Sequence, residues 1–186
     1  MTTNYTTQND LLLNKLLEFY NINNNLSKML KIITGEAKVS LRIVDWFVTN
    51  YAKKNYTLYD IEKSNNIIRF KVYPDYKLKL KAYSKKKFDP FCRWDRISIP
   101  YKDHTQIETT IGQLNFFKWA LENRVIDYIE KNYETIEKDM NNRNSTSKRK
   151  DDILDNNKTR KKREELSISA TKSIKKEEVE IIVKFD

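Results

Sequence analysis

The chain has very few of the residues that build metal, disulfide and phosphate-binding sites. Its 186 residues include one cysteine, Cys92, one histidine, His104, and two glycines, Gly35 and Gly112. A single chain of this kind can form neither a zinc finger nor a disulfide framework, so any metal would rest on carboxylates. Two isolated glycines also leave no glycine-rich loop of the nucleotide-binding kinds. We therefore predict no metal site and no cofactor, and a nucleotide-hydrolysing motor is not expected.

Long apolar segments are absent as well. No run of apolar residues is long enough to span a bilayer, and residues 1–10 lack a basic region followed by an apolar run. We expect a soluble intracellular protein without a membrane partner, whose single thiol suits a reducing compartment. The apolar content of 39% is enough for one core, whereas the charged fraction of 33% indicates that part of the chain stays outside it.

Positive charge is what the chain has in excess. The net charge is +10, which favours nucleic acid, anionic lipid headgroups or an acidic protein as partner, with solubility alone as the alternative. The excess lies in two blocks. Residues 69–96 contain ten Lys or Arg against three Asp, a net of +7, and residues 143–176 contain twelve against five acids, also +7.

In the first block, basic and apolar residues alternate with period two. This pattern predicts two strands, Ile67–Tyr73 and Tyr76–Tyr83, that pair as a hairpin. The loop around Pro74 and Asp75 must have an odd length, because a two-residue loop would put Lys71 on the same face as Leu78. One face would then be apolar and the other cationic. Facing like charges destabilise a sheet, so a bound polyanion would explain them. The alternative is that the lysines extend into water or protect a sheet edge.

The segment that follows, Ser84–Arg96, mixes cations with aromatic residues. Such a mixture is typical of sites where phosphates are neutralised and bases are stacked. Equally, Phe88 and Phe91 could fill the core while Asp89 and Asp95 pair with Arg93 and Arg96. The sequence leaves both interpretations open.

The second block has no aromatic residue and few apolar ones. Its clusters Lys148–Lys150 and Arg160–Arg163 are spaced like a bipartite nuclear-import signal, and they would equally suit an arm that lies along phosphates. A solvated disordered tail is the alternative.

The periodicities predict an α+β fold, with a small, mostly antiparallel sheet packed by several helices and a disordered basic segment before a C-terminal strand. A helix from Leu26 to Ile33 should stop at Gly35, Ser40 should precede another, and Thr109 or Thr110 should cap a long helical region broken at Asn123. We divide the chain into a helical extension (1–39), a core domain (40–142), a disordered basic linker (143–176) and a strand that returns to the core (177–186).

An enzyme is a further possibility that the carboxylates raise. Asp45, Asp89, Asp95 and Glu108 suffice to imagine a magnesium-dependent nuclease, but no pair has the spacing beside a lysine that restriction-type nucleases use. We therefore predict no enzymatic activity.

Three stretches, Ser40–Lys54, Lys81–Arg93 and Thr110–Ala120, resemble a conserved and functionally unassigned protein family of nucleocytoplasmic large DNA viruses, especially mimivirus-like giant viruses. The similarity spans about residues 40–140. It implies a setting, the virion or the cytoplasmic viral factory, and it carries no catalytic residues over to this chain.

Together these features predict a non-enzymatic protein that binds the phosphate backbone of DNA or RNA with little sequence specificity. Packaging, factory and transcription-associated roles are all open, as are oligomeric state and nuclear entry through the basic tail. The alternative is a virion or factory structural protein that docks on an acidic protein partner. The predicted nucleic-acid-binding residues are Arg69, Lys71, Lys77, Lys79, Lys81, Lys85, Lys86, Lys87, Arg93, Trp94, Arg96, Lys148, Arg149, Lys150, Arg160, Lys161, Lys162 and Arg163.

Overall fold

Helices supply most of the core in the computed structural model of the chain. It describes residues 8–63, 65–101, 105–154 and 176–178, with the backbone alone at 105, 144–154 and 176–178. The helices are α1 (Gln8–Tyr20), α2 (Asn25–Thr34), α3 (Leu41–Trp46), α4 (Ala52–Lys54), α5 (Val72–Lys87), α6 (Ile111–Glu122), α7 (Val125–Lys131) and α8 (Tyr133–Leu154). A π-helical turn, Phe47–Tyr51, joins α3 to α4.

Local signals fix several helix ends, as predicted. The Ser40 hydroxyl accepts the Ile43 backbone N–H at 3.3 Å, and the Thr110 hydroxyl accepts that of Gln113 at 3.0 Å. Gly35 ends α2 in a left-handed conformation that suits glycine. Asn123 separates α6 from α7. Each signal acts within four residues, which is why the sequence alone reveals it.

Two small antiparallel sheets accompany the helices, and the α+β class is confirmed. One sheet pairs β1 (Leu58–Lys63) with β2 (Asn66–Lys71); the other has the order β3 (Arg96–Pro100), β4 (Thr105–Thr110), β5 (Lys176–Glu178). We expected a single sheet and did not predict β4. The short strand β5 pairs with β4 and overlaps the predicted strand at residues 177 and 178, while residues 179–186 lie outside the described residues.

The predicted hairpin of lysine strands is wrong. β2 pairs instead with β1, so that Arg69 lies opposite Asp60 and Lys71 opposite Leu58. Opposite charges, rather than like ones, therefore face each other across this hairpin, and Arg69 Nε lies 3.4 Å from Asp60 Oδ1. Within β2 the alternation is as expected, with Phe70 buried and Arg69 and Lys71 exposed.

The second predicted strand is the helix α5. Pro74 lies in its first turn, where proline is tolerated because no intrahelical partner is lost. Asp75, in the same turn, complements the helix dipole, and Lys, Leu and Ala are strong helix formers. Val72 and Tyr76 are buried, four residues apart, against the core. These helical preferences outweigh the period-two alternation of Lys77 to Ala82.

The first part of the segment predicted to be disordered, residues 143–176, is helical. The backbone of α8 continues through residues 143–154, so the start of the basic segment is helical. Residues 155–175, which include the second basic cluster, lie outside the described part of the chain.

Candidate nucleic-acid interface

A groove of about 610 Å³ opens between α1, the β1–β2 hairpin, α5 and α6. Its inner wall is aromatic and buried: Trp119 is 3% exposed, and its ring lies 6.2 Å from that of Phe70 and 5.7 Å from that of Phe88. Nearer the opening the wall is aliphatic, with Ile68 46% exposed and Leu78 66% exposed. The groove therefore offers accessible apolar surface over a rigid aromatic base.

Hydrogen bonds between distant residues hold the elements around this groove. The Tyr20 hydroxyl donates to the Leu114 carbonyl at 2.6 Å and ties α1 to α6. The Tyr59 hydroxyl donates to the Asn123 carbonyl at 2.9 Å, and Lys63 Nζ donates to Asn123 Oδ1 at 2.8 Å. Both bonds fix the hairpin to the α6–α7 junction. Burial raises the pKa of Tyr59 far above its ordinary value, so this hydroxyl stays a donor.

The N-terminal turn of α5 is attached to α6 in a similar way. Trp119 Nε1 donates to Asp75 Oδ1 at 2.6 Å. The indole thus satisfies its only donor inside the fold, and it holds one of the two carboxylates that line the groove.

Basic side chains predominate along the groove. Its acids are Asp75, bound by Trp119, and Glu122, which pairs with Lys118. Its six basic residues are Lys15, Lys63, Arg69, Lys71, Lys79 and Lys118.

Three of these bases are already engaged by the protein, since Lys63 binds Asn123, Arg69 pairs with Asp60 and Lys118 pairs with Glu122. The remaining three, Lys15, Lys71 and Lys79, form no ion pair with any other residue that the structure describes. We call these three the rim lysines. They come from α1, β2 and α5.

The predicted lysine face is divided between two sides of α5. Residues two apart on a helix are rotated by about 200°, so Lys79 points away from Lys77 and Lys81. Lys79 lines the groove, whereas Lys77 and Lys81 lie outside it and line a second depression with Leu80. Of the residues predicted from the first block, only Arg69, Lys71 and Lys79 reach the groove.

The Lys85–Lys87 segment is held in place by its backbone. The helix is kinked at Ser84, which has a φ of 61° and a ψ of 168°. Asn115 Nδ2 donates to the Lys87 carbonyl at 2.9 Å, and the Asp89 N–H donates to the Gly112 carbonyl at 3.2 Å. The main chain is therefore docked on α6 while the side chains of Lys85 and Lys86 stay exposed.

For the aromatic and basic segment, the structure favours the packing interpretation. Phe88 and Phe91 are buried in the core. Arg93 makes a double contact with the Asp89 carboxylate, at 2.9 Å and 2.5 Å, and lies over the Phe91 ring. Trp94, 42% exposed, is the aromatic residue of this segment that remains accessible.

The other two acids near this segment also pair with bases. Lys86 Nζ lies 2.8 Å from Asp95 Oδ2, and Arg96 pairs with Glu108 at 3.1 Å, so Asp95 takes a different partner from the one expected. Arg93 and Arg96 are thus engaged within the protein. In the tail, Lys148, Arg149 and Lys150 lie on the backbone of α8, and Arg160–Arg163 lie outside the described residues.

A pair of acids, half-buried Asp45 and buried Asp89, lies apart from the groove. Burial, together with the negative charge of Asp89, raises the pKa of Asp45 to about 6, against the opposing effect of Arg93. Burial and the charges of Asp45 and Asp89 likewise raise the pKa of Tyr76 to about 12. Over the described ranges, no three Asp, Glu, His or Cys side chains are grouped so that they could hold a metal ion.

Sequence reasoning missed half of the basic residues of the groove. Lys15, Lys63 and Lys118 come from segments with no marked local excess of charge. Only the packing of α1, β1 and α6 brings them together, and no local pattern could have indicated this.

These features define an α+β protein with a cationic, apolar-walled groove. The whole chain, residues 1–186, matches the profile of a "Family of unknown function (DUF7197)" and belongs to that family. It is 47% identical over 127 residues to the Uncharacterized protein L507 of Acanthamoeba polyphaga mimivirus, a match that covers 66% of this chain and 49% of the relative. The chain thus spans about half the length of that curated relative.

The resemblance to an unassigned giant-virus family is therefore confirmed. No solved structure matches the chain. Among the described helices, none combines the length and the apolar character that a membrane crossing requires.

Proposed function

We propose that this protein is a non-enzymatic nucleic-acid-binding protein of a large DNA virus, which binds phosphate backbones with little sequence specificity. It would act in the virion or the cytoplasmic viral factory, in packaging, factory organisation or transcription. The basic tail would also suit nuclear import.

The observation that carries this proposal is the imbalance of charge along the groove. Both groove carboxylates are bound by neighbouring side chains, while the three rim lysines have no acidic partner among the described residues. Ammonium groups left without a counter-charge around one opening attract a ligand with repeated negative charges. Nucleic acid has this property, because it carries one phosphate per nucleotide.

Other exposed lysines add positive charge outside the groove. Lys77 and Lys81 lie on a different face of α5 from Lys79, and Lys85 is exposed beyond the kink at Ser84. Phosphate contacts through flexible lysines carry no base information, which supports low sequence specificity.

The test is retention of a labelled single-stranded DNA in a mobility-shift titration at two salt concentrations, with the wild type and with the Lys15→Glu, Lys71→Glu, Lys79→Glu variant. Affinity should fall by about 0.7 log units per log unit of salt for each single-strand phosphate neutralised. The variant should lose retention, because three attractive charges become repulsive. Unchanged retention by a variant with a wild-type circular dichroism spectrum would overturn the proposal.

A second candidate is a virion or factory structural protein that docks on an acidic protein. A second depression on α5 favours it, where Lys77 and Lys81 lie with Leu80 and share Pro74 and Leu78 with the groove. Mixed apolar and cationic surfaces of this kind suit a protein partner with acidic residues. Cross-linking in particles separates the two candidates: contacts chiefly to nucleic acid support the first, and contacts chiefly to capsid or scaffold proteins support the second.

A further inference from the structure

The apolar wall of the groove is unsuited to double-stranded nucleic acid. A duplex keeps its bases stacked inside and presents sugars and phosphates. Against it, charged phosphates would lose hydration beside Ile68 and Leu78 without gaining a hydrogen bond in return. An unpaired strand instead offers the faces of its bases, which pack on apolar and aromatic side chains.

Three polar side chains that line the groove, Trp119, Asn115 and Asn123, already bind the protein. The indole N–H of Trp119 donates to Asp75, and the side-chain amides of Asn115 and Asn123 donate to the Lys87 and Trp119 carbonyls. Asn123 Oδ1 accepts from Lys63. The indole N–H is thus fully used and each amide is held in a fixed orientation by the fold, which leaves few donors for the edges of bases or the 2′-hydroxyl of RNA.

The positions of the rim lysines also suit a single strand. They lie on three different elements around one opening, so a bound strand can place phosphates on them while its bases turn inward. The volume of about 610 Å³ lies within the range of sites that enclose a small organic molecule, about 300–1,000 Å³. A short stretch of strand fits a space of that size, whereas the width of a duplex does not.

We infer that the groove binds an unpaired nucleic acid strand, with base faces against Ile68 and Leu78 and phosphates on Lys15, Lys71 and Lys79. This inference rests on the proposed function and names the form of nucleic acid that the site takes. Base sequence and sugar identity have little influence, because the indole N–H of Trp119 and both polar ends of the Asn123 amide already bind the protein.

The experiment uses the full chain and fluorescence anisotropy with three labelled probes of about 15 nucleotides: oligo-dT, a mixed-sequence DNA duplex and oligo-rU. At one salt concentration we expect oligo-dT to bind about tenfold more tightly than the duplex, because only the single strand stacks bases on the wall. Oligo-rU should bind within about threefold of oligo-dT.

Two apolar-to-polar variants locate the site. Leu78→Gln removes an exposed side chain from the wall, so the fold should persist, and oligo-dT affinity should fall about fivefold with duplex affinity unchanged. The matched control is Ile67→Gln, since Ile67 is exposed on the same hairpin as Ile68 but lies outside the groove. It should leave both affinities unchanged.

The failures can be told apart. If neither DNA probe nor oligo-rU binds, the proposed function fails and the inference fails with it. If the duplex binds as tightly as oligo-dT, or if Leu78→Gln weakens both equally, the inference is overturned while the proposed function stands. A preference of about tenfold or more for one sugar would also overturn it, because a donor in the site would then be reading the 2′-position.

Discussion

Ser84 holds a backbone conformation that serine rarely adopts. Its φ of 61° with a ψ of 168° falls in a region that is almost restricted to glycine. The residue is exposed, so its side chain contributes little packing. The conformation persists because the chain must turn there to place Lys85–Lys87 against α6. Sequence alone gives no sign of this, since serine is an unremarkable residue in a polar stretch.

Replacing Ser84 with glycine should therefore stabilise the protein. Relief of the strain outweighs the added flexibility of the unfolded chain, and we expect a gain of about 1 kcal/mol in the free energy of unfolding. Urea denaturation measures it. The control is Ser98→Gly in β3, also exposed, which should lose about 0.5–1 kcal/mol because glycine weakens a strand. A loss of stability in Ser84→Gly would show that the Ser84 backbone is not strained in the folded protein.

Asp45 is a second residue whose environment has a marked effect, here on the pKa of its carboxyl group. Burial raises its pKa to about 6 in the folded state from 3.8. The protonated form is thus favoured by folding. Its contribution to stability is fully present below about pH 3.8 and is lost as the pH rises through about 6.

Asp45→Asn should remove this pH dependence. The amide stays neutral, so at pH 7 we expect the variant to be more stable than the wild type by about 1–3 kcal/mol, with the difference vanishing near pH 4. Urea denaturation of both proteins between pH 4 and pH 7 gives the comparison. A difference that stays constant across this range would show that Asp45 does not titrate there.

At the scale of elements, the helix ends that depend on neighbouring residues were predicted correctly. The segment in which two sequence patterns disagree was not. The caps at Ser40 and Thr110 and the end of α2 at Gly35 each depend on neighbours in sequence. In α5, however, two periodicities overlap. Lysine and leucine alternate from Lys77 to Lys81, while core-facing residues recur at helical spacing. The segment forms a helix because the residues at helical spacing, Val72 and Tyr76 among them, fill the core, whereas Leu78 is left exposed.

The contact between α5 and α6 depends on Gly112. A Cβ at this position would lie 2.8 Å from the Lys86 carbonyl oxygen and 3.4 Å from the Phe88 nitrogen. Both are backbone atoms that cannot rotate aside. The basic segment can approach α6 this closely only because the residue there lacks a side chain.

Gly112→Ala should for this reason destabilise the protein, although alanine is the better helix former. We expect a loss of about 1–3 kcal/mol in the free energy of unfolding, from displacement of the Lys85–Lys87 backbone. Helix propensity alone would give a gain of up to about 1 kcal/mol, so the sign of the change decides between the two effects. Urea denaturation gives that sign, and a gain would mean that the helices do not approach as described.

At the scale of the whole molecule, composition leads to a prediction about the partner but does not reveal the groove. The net charge of +10 is visible in the sequence. The groove is not, because it forms only when α1, the β1–β2 hairpin, α5 and α6 pack together, and its bases lie up to about a hundred residues apart in sequence. The pairing of neighbouring strands also brings Arg69 to Asp60 and Arg96 to Glu108, which lowers the number of bases left for a ligand.

The groove and the basic tail should contribute to binding in different ways. Replacing Arg160, Lys161, Lys162 and Arg163 with Gln should weaken duplex and oligo-dT binding alike, because the attraction of the tail to phosphate does not depend on base pairing.

Replacing Lys15, Lys71 and Lys79 with Gln should weaken the binding of oligo-dT more than the binding of the duplex. Salt titrations of both variants measure the change, since the slope of log affinity against log salt should fall by about 0.7 for each single-strand phosphate that the variant no longer neutralises. A tail variant that abolished the preference for oligo-dT would place the strand-selective site outside the groove.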